Sequence, residues 1–199
     1  SECGRIDVLV NNAGFGISGA IEFTDMDEIR RQFDVNLFGT VRCIQAVLPA
    51  MREARGGCIL NLSSVAGVLP IPFQSFYSAV KASVNALTLT LQNELRPYGV
   101  RVAAMLPGDV KTGFTAAREK NCKGAEVYPA LLRSVSTMEH DEQNGMGPEM
   151  IAKKFVALSL KKHPKVLSTV GLQYKFFCFL GKVLPIRLQN FIVGKMYIK

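Results

Sequence analysis

The stretch RIDVLVNNAG, residues 5–14, sets an apolar run against a polar, glycine-containing turn. The run Ile6–Val10 reads as a buried strand and the N-N-A-G after it as the strand's exit. The same pattern then repeats along the chain. Asp25 precedes Met26, Ile29, Phe33, Leu37 and Val41, which lie near helical spacing and predict one long helix to about Arg52. GGCILNLSS predicts a strand over 57–62 with a serine-rich exit. VLPIPFQ then leads into a helix over 73–95, stopped by Pro97 and Gly99. VRVAAMLPG predicts a third strand, 100–106, closed by Pro107-Gly108. Three strand-then-helix units predict a parallel sheet covered on both faces, an α/β fold.

Beyond Gly108 the pattern changes. Residues 109–147 are polar and mixed, with short helical pieces around 124–136, as a lid or binding loop would be. A helix restarts at Pro148, KVLSTVG offers a last strand, and two amphipathic helices over 172–184 and 186–197 end the chain. The 199 residues are 48% apolar and 20% charged, which fits one packed domain.

Charge is segregated. Residues 1–149 hold 14 Lys/Arg and 16 Asp/Glu, whereas residues 150–199 hold ten Lys/Arg and no acid. The formal +8 therefore belongs to the C-terminal quarter and suits an acidic partner: anionic lipid, nucleic acid or a phosphorylated ligand. The five cysteines (Cys3, Cys43, Cys58, Cys122, Cys178) contain no C-x-x-C pair. That argues against a disulfide framework or a zinc site and fits a reducing, cytoplasmic compartment. His140 and His163 sit in polar surroundings and read as solvated, so no metal is expected.

In a parallel sheet, ligands bind beyond the carboxyl ends of the strands. Residues 11–14, Ser63-Ser64, the start of the FYSAVKAS helix (76–83) and Pro107-Gly108 should therefore meet on one rim. Tyr77 and Lys81, four apart on a helix, face the same side. An ammonium beside a phenol lowers the phenol's pKa from near 10, which makes a general acid or base. Ser64, 13 residues before Tyr77, is placed to hold a substrate oxygen.

N-N-A-G after a strand, Ser64, Tyr77-x-x-x-Lys81 and a later Pro107-Gly108, together with DVNLFGT at 34–40, resemble the classical short-chain dehydrogenase/reductase family from about residue 5 to 170. The resemblance implies a Rossmann-like doubly wound sheet and NAD(P)-dependent interconversion of an alcohol with a ketone or aldehyde. It implies that Tyr77 transfers the proton, that Lys81 lowers its pKa and holds the nicotinamide ribose, and that Ser64 orients the substrate. Asn36 would anchor a water through a carbonyl freed by a local helix irregularity. Asn11, Ala13 and Gly14 would line the adenosine half of the cofactor, and Pro107, Gly108, Val110 and Thr112 the nicotinamide half. Asn12 could stitch neighbouring strands, Asn36 could be an ordinary helix residue, and Thr112 could cap a lid helix.

The family's glycine-rich turn after its first strand is absent, as is the residue that selects NAD or NADP. The expectation is a chain lacking the first three βα units, about 90 residues. Its first strand would be a bare edge, and alone it would neither bind cofactor tightly nor turn over. Pairing of copies through helices 26–52 and 73–95 is implied, and no nucleic-acid partner is expected. Residues 171–199 form a basic amphipathic end suited to a membrane surface, or else they close the substrate pocket or meet a second subunit. A hydrophobic lipid-, retinoid- or steroid-like carbonyl is the expected substrate. Two rival readings are a non-catalytic binding protein with the same fold and a membrane-surface interaction protein.

Overall fold

The computed structural model describes residues 4–198; Cys3 and Lys199 lie outside them. Four strands form one parallel sheet in the order β1 (Val8–Asn11), β3 (Gly57–Leu62), β4 (Val100–Leu106) and β6 (Leu167–Thr169). Between them run α1 (Met26–Phe33), a π-helical turn (Asp34–Phe38), α2 (Gly39–Glu53), α3 (Ser75–Leu95) and α6 (Pro148–Ser159).

Side chains alternate across a strand, and the core divides accordingly. Ile59, Val100 and Val102 meet Ile44, Val47 and Met51 of α2 and Leu91 and Leu95 of α3 on one face. Cys58, Leu60, Ala103 and Met105 meet Ile151, Phe155 and Leu158 of α6 on the other. Both faces are covered, so the fold is the doubly wound α/β arrangement that the sequence implies.

Several expectations need correction. The first strand is not buried: Val8 and Val10 are 40% and 44% exposed, while Leu9 packs against the core. Among the described residues no strand pairs with its outer edge. The helix expected from residue 73 begins at Ser75, because Phe73 has φ 59°, outside helical geometry; its carbonyl accepts from the Gly19 N–H at 2.9 Å. The lid's main helix, α5, spans Ala130–Gln143 rather than 124–136. Two elements were not anticipated, β2 (Ile17–Ser18) and β5 (Glu119–Lys120), which pair in parallel. This ladder, flanked by a short helix α4 (Phe114–Ala117), pins the lid to the loop after β1. The chain ends in α7 (Leu172–Val183) and α8 (Ile186–Tyr197).

Candidate active site

The four strand ends converge as parallel topology requires, and hydrogen bonds extend the register past the strands. The Ser63 N–H donates to the Met105 carbonyl at 2.8 Å and the Val65 N–H to the Pro107 carbonyl at 3.0 Å. Helix α3 is tied to the same loop. Ser63 Oγ donates to the Lys81 carbonyl (3.1 Å), Asn85 to the Gly67 carbonyl (3.2 Å), and the Ile71 N–H to Ser78 Oγ (3.2 Å). A Cβ at Gly67 would stand 2.7 Å from the Lys81 backbone, so only glycine lets the loop lie this close to the helix. These ties set Ser64 opposite Tyr77.

Asn11, Asn61 and Thr88 form a buried chain across the sheet. Asn11 Nδ2 donates to Asn61 Oδ1 at 2.8 Å, and Asn61 Nδ2 to Thr88 Oγ1 at 2.9 Å. The strand stitch considered for Asn12 thus belongs to Asn11, whose amide nitrogen is engaged by Asn61. Asn12 is exposed and lines the central cavity with Gly14. Ala13, between them, is exposed and is not among the residues lining that cavity.

Asn36 is 2% exposed and sits in the π-turn. Its side chain clamps the Phe15 backbone from both sides: Oδ1 accepts the Phe15 N–H at 3.0 Å and Nδ2 donates to the Phe15 carbonyl at 2.7 Å. Its own carbonyl accepts the Thr40 hydroxyl at 3.1 Å. Asn36 is therefore a support for the 14–16 loop. Asn36→Ala leaves the half-buried Phe15 N–H and carbonyl short of partners and should cost about 1–3 kcal/mol. An unchanged urea midpoint would refute that role.

Gly14, Gly16 and Gly19 make a G-x-G-x-x-G run that could be mistaken for a dinucleotide turn. It contains β2 and is followed by a single 3-10 turn (Ile21–Phe23), not by the long helix of a dinucleotide turn. Cβ atoms there would stand 3.0 Å from Asn36, Phe114 and Asn121, so the glycines admit the lid and Asn36.

Tyr77 is half-buried, with its ring 5.5 Å from that of Phe114. Lys81 is 5% exposed; its Nζ stands 5.6 Å from the Tyr77 ring centroid and donates to the Leu62 carbonyl at 2.8 Å. The pKa directions oppose the sequence expectation. Burial pushes the Tyr77 phenol up to about 12, outweighing the lowering by the neighbouring Ser64 hydroxyl. Burial also brings Lys81 down to about 8. In this state desolvation governs both groups, and Lys81 does not lower the tyrosine. Ser64 caps a short turn, accepting the Ala66 N–H at 3.1 Å.

Pro107, Gly108, Val110 and Thr112 line the same cavity as Ser64, Tyr77 and Lys81. Two have additional structural roles. A Cβ at Gly108 would fall 2.1 Å from the Tyr174 ring, so the missing side chain makes room for α7. Thr112 Oγ1 accepts the Phe114 N–H at 3.1 Å in the turn before α4, whose N-cap is Gly113, so Thr112 steadies that turn without capping the helix.

Several contributors were missed. Tyr174 donates to Asp109 Oδ2 at 2.5 Å, and burial raises the Asp109 pKa. Arg118, 5% exposed, pairs with Glu142 and lies 5.5 Å from the Phe114 ring. Long-range pairings such as these carry no local sequence signal.

The cavity measures about 1640 Å³ and runs from Asn12 and Gly14 past Tyr77 to α8. Its far walls are apolar, with Leu69, Met138, Phe155, Phe177, Leu180 and Val193. Among the described residues no cluster of His, Cys, Asp and Glu could hold a metal.

The short chain dehydrogenase family model matches residues 1–123. A 3-ketodihydrosphingosine reductase of Bacteroides thetaiotaomicron is 41% identical over 174 residues, 86% of this chain and 65% of the relative. A probable short-chain type dehydrogenase/reductase of Helicobacter pylori is 32% identical over 90% of this chain and 67% of its own length. Among solved structures, a short-chain dehydrogenase from Streptomyces avermitilis superposes with a TM-score of 0.80 at 29% identity, covering 97% of this chain and 70% of that one. A serine dehydrogenase complexed with NADP+ gives 0.72 at 30%, covering 85% and 66%. The chain thus spans about two thirds of the length of these relatives.

Proposed function

The chain belongs to the short-chain dehydrogenase family of oxidoreductases, and we propose that the protein carrying it reduces a ketone on a long apolar substrate with NAD(P)H. The observation that supports this most is the placement of Ser64, Tyr77 and Lys81 in an apolar cavity of about 1640 Å³, larger than most small-molecule pockets. A relative named for reducing 3-ketodihydrosphingosine supports the substrate class.

The residues present fit a nicotinamide cofactor on one side of the cavity. An ammonium carries three donors, and Lys81 uses one on Leu62, leaving others for ribose hydroxyls. Asn12, Gly14 and the 107–112 backbone complete the seat. The cofactor, when bound, supplies the hydride to the carbonyl carbon.

Tyr77 supplies the proton. With its pKa near 12 the phenol is protonated at neutral pH, and its Oη–H is donated to the substrate oxygen as negative charge develops there. Ser64 Oγ holds that oxygen beside the phenol.

Oxidation of reduced nicotinamide at 340 nm with ketones of increasing chain length tests the proposal. The specificity constant should rise with chain length; preference for a short hydrophilic carbonyl would remove the substrate class. These 199 residues alone should hold the cofactor weakly, and micromolar affinity in a titration would contradict that. Pairing of copies through α1–α2 and α3 is part of the proposal.

A further inference from the structure

Helices α7 and α8 are apolar on two sides. Inward, Phe177, Leu180 and Leu184 of this segment and Val193 of α8 wall the cavity. Outward, Leu172, Phe176, Phe179 and Val183 recur at helical spacing and are 84%, 57%, 59% and 62% exposed. Ile186 and Phe191 extend the apolar surface onto α8, at 66% and 60%. A soluble surface scatters such residues singly. Burial of both faces is not achieved within this chain.

Charge identifies what covers the outer face. Among the described residues α7 and α8 carry Lys175, Lys182, Arg187 and Lys195 and no acid. The stretch before α7 is also basic, with exposed Lys153, Lys161, Lys162 and Lys165, again without an acid after residue 149. Exposed aromatics edged by lysine and arginine, with no negative group among them, complement an anionic lipid headgroup layer. The rings enter the acyl boundary while the long cationic stems reach the phosphates. No helix of the described residues is long and apolar enough to cross a membrane, so the helices would lie in the interface plane.

The cavity reaches this surface. Leu172, Ile192 and Met196 line the cavity and are also 84%, 37% and 47% exposed. Its rim is therefore apolar where it meets the proposed lipid side. One layer of helix, about 10 Å thick, separates the outer face from the interior.

We infer that α7 and α8 dock on an anionic lipid surface, and that the rim at Leu172, Ile192 and Met196 receives a long-chain substrate from that surface. The second half of this statement rests on the proposed ketone reduction; the first does not.

Co-sedimentation tests the docking. The chain should pellet with vesicles of phosphatidylcholine containing 30% phosphatidylserine at low salt, and much less with pure phosphatidylcholine or in 0.5 M NaCl. Lys182→Glu with Arg187→Glu should weaken binding about fivefold per cationic group removed. Phe176→Ser with Phe179→Ser should weaken it at least tenfold. Neither pair lines the cavity, and circular dichroism checks that the variants stay folded. Absence of pelleting with anionic vesicles, or pelleting unaffected by both pairs, overturns the inference. So does a dimer in sedimentation velocity that the Phe176/Phe179 pair dissolves while vesicles bind nothing, since a second copy would then cover the face. Reduction of a soluble ketone is read separately, on the full-length protein. Vesicle binding without any reduction would sink the catalytic reading and leave the docking intact; reduction without vesicle binding would do the reverse.

Discussion

Tyr77→Phe is expected to lower ketone reduction by about 10²–10⁴-fold while leaving the fold in place. The phenylalanine keeps the ring against Phe114 at 5.5 Å and beneath the Lys81 ammonium. Only the hydroxyl is lost, and it faces the cavity beside Ser64. The urea midpoint should therefore move by less than about 0.5 kcal/mol in stability. The combination separates proton transfer from support of the fold. A variant that keeps most of its turnover would mean the proton comes from elsewhere. A variant that unfolds would mean the hydroxyl is structural.

Lys81→Met should make the fold more stable at neutral pH and the enzyme poor. The ordinary lysine pKa of 10.5 falls to about 8 through burial. Between these values the unfolded chain holds a proton that the folded chain has released, so stability rises with pH across that window. Below pH 8 both states are protonated and the folded state carries the full penalty, on the order of 3 kcal/mol. Methionine keeps the stem's packing and removes the charge, at the loss of one bond to Leu62, worth about 1 kcal/mol. A net gain of about 1–2 kcal/mol at pH 7, shrinking toward zero by pH 10, is expected from urea unfolding. Tyr77 and Tyr174, both pushed up to about 12, and the thiols of Cys58 and Cys178, raised by burial, run the opposite way at alkaline pH. They are common to both proteins, so the difference between wild type and variant isolates Lys81. A variant less stable than wild type at pH 7 would contradict the desolvation argument. Turnover should fall together with cofactor affinity, because the same ammonium is available to the ribose.

The regular elements were legible because their signals are local. GGCILNLSS and VRVAAMLPG are apolar runs bounded by glycine or proline, and they are the strands Gly57–Leu62 and Val100–Leu106. Pro185 separates two apolar-periodic segments, and α7 and α8 divide there. Four features were hidden because each depends on a distant partner. The two-residue β2–β5 ladder joins positions about a hundred apart in sequence, through glycines that read only as a turn. Asn11 rather than Asn12 faces Asn61, and register with β3 decides which of them turns inward. The close approach of Tyr174 to Gly108 gives the Pro-Gly pair a packing reason besides ligand binding. Most instructive is Tyr77. Spacing places an ammonium near the phenol, and it is there at 5.6 Å from the ring, but spacing says nothing of the burial that raises the pKa. The phenol is therefore protonated at neutral pH, the form that a proton donor needs.

The most direct test of the central claim traces an isotope. The full-length protein is given a long-chain ketone and nicotinamide cofactor reduced with deuterium at C4, and the product is analysed by mass spectrometry. The account predicts one deuterium on the carbinol carbon with wild type, and product slowed at least a hundredfold with Tyr77→Phe. Recovery of unreduced ketone from the wild-type reaction, or equal deuterium transfer by Tyr77→Phe, would contradict it.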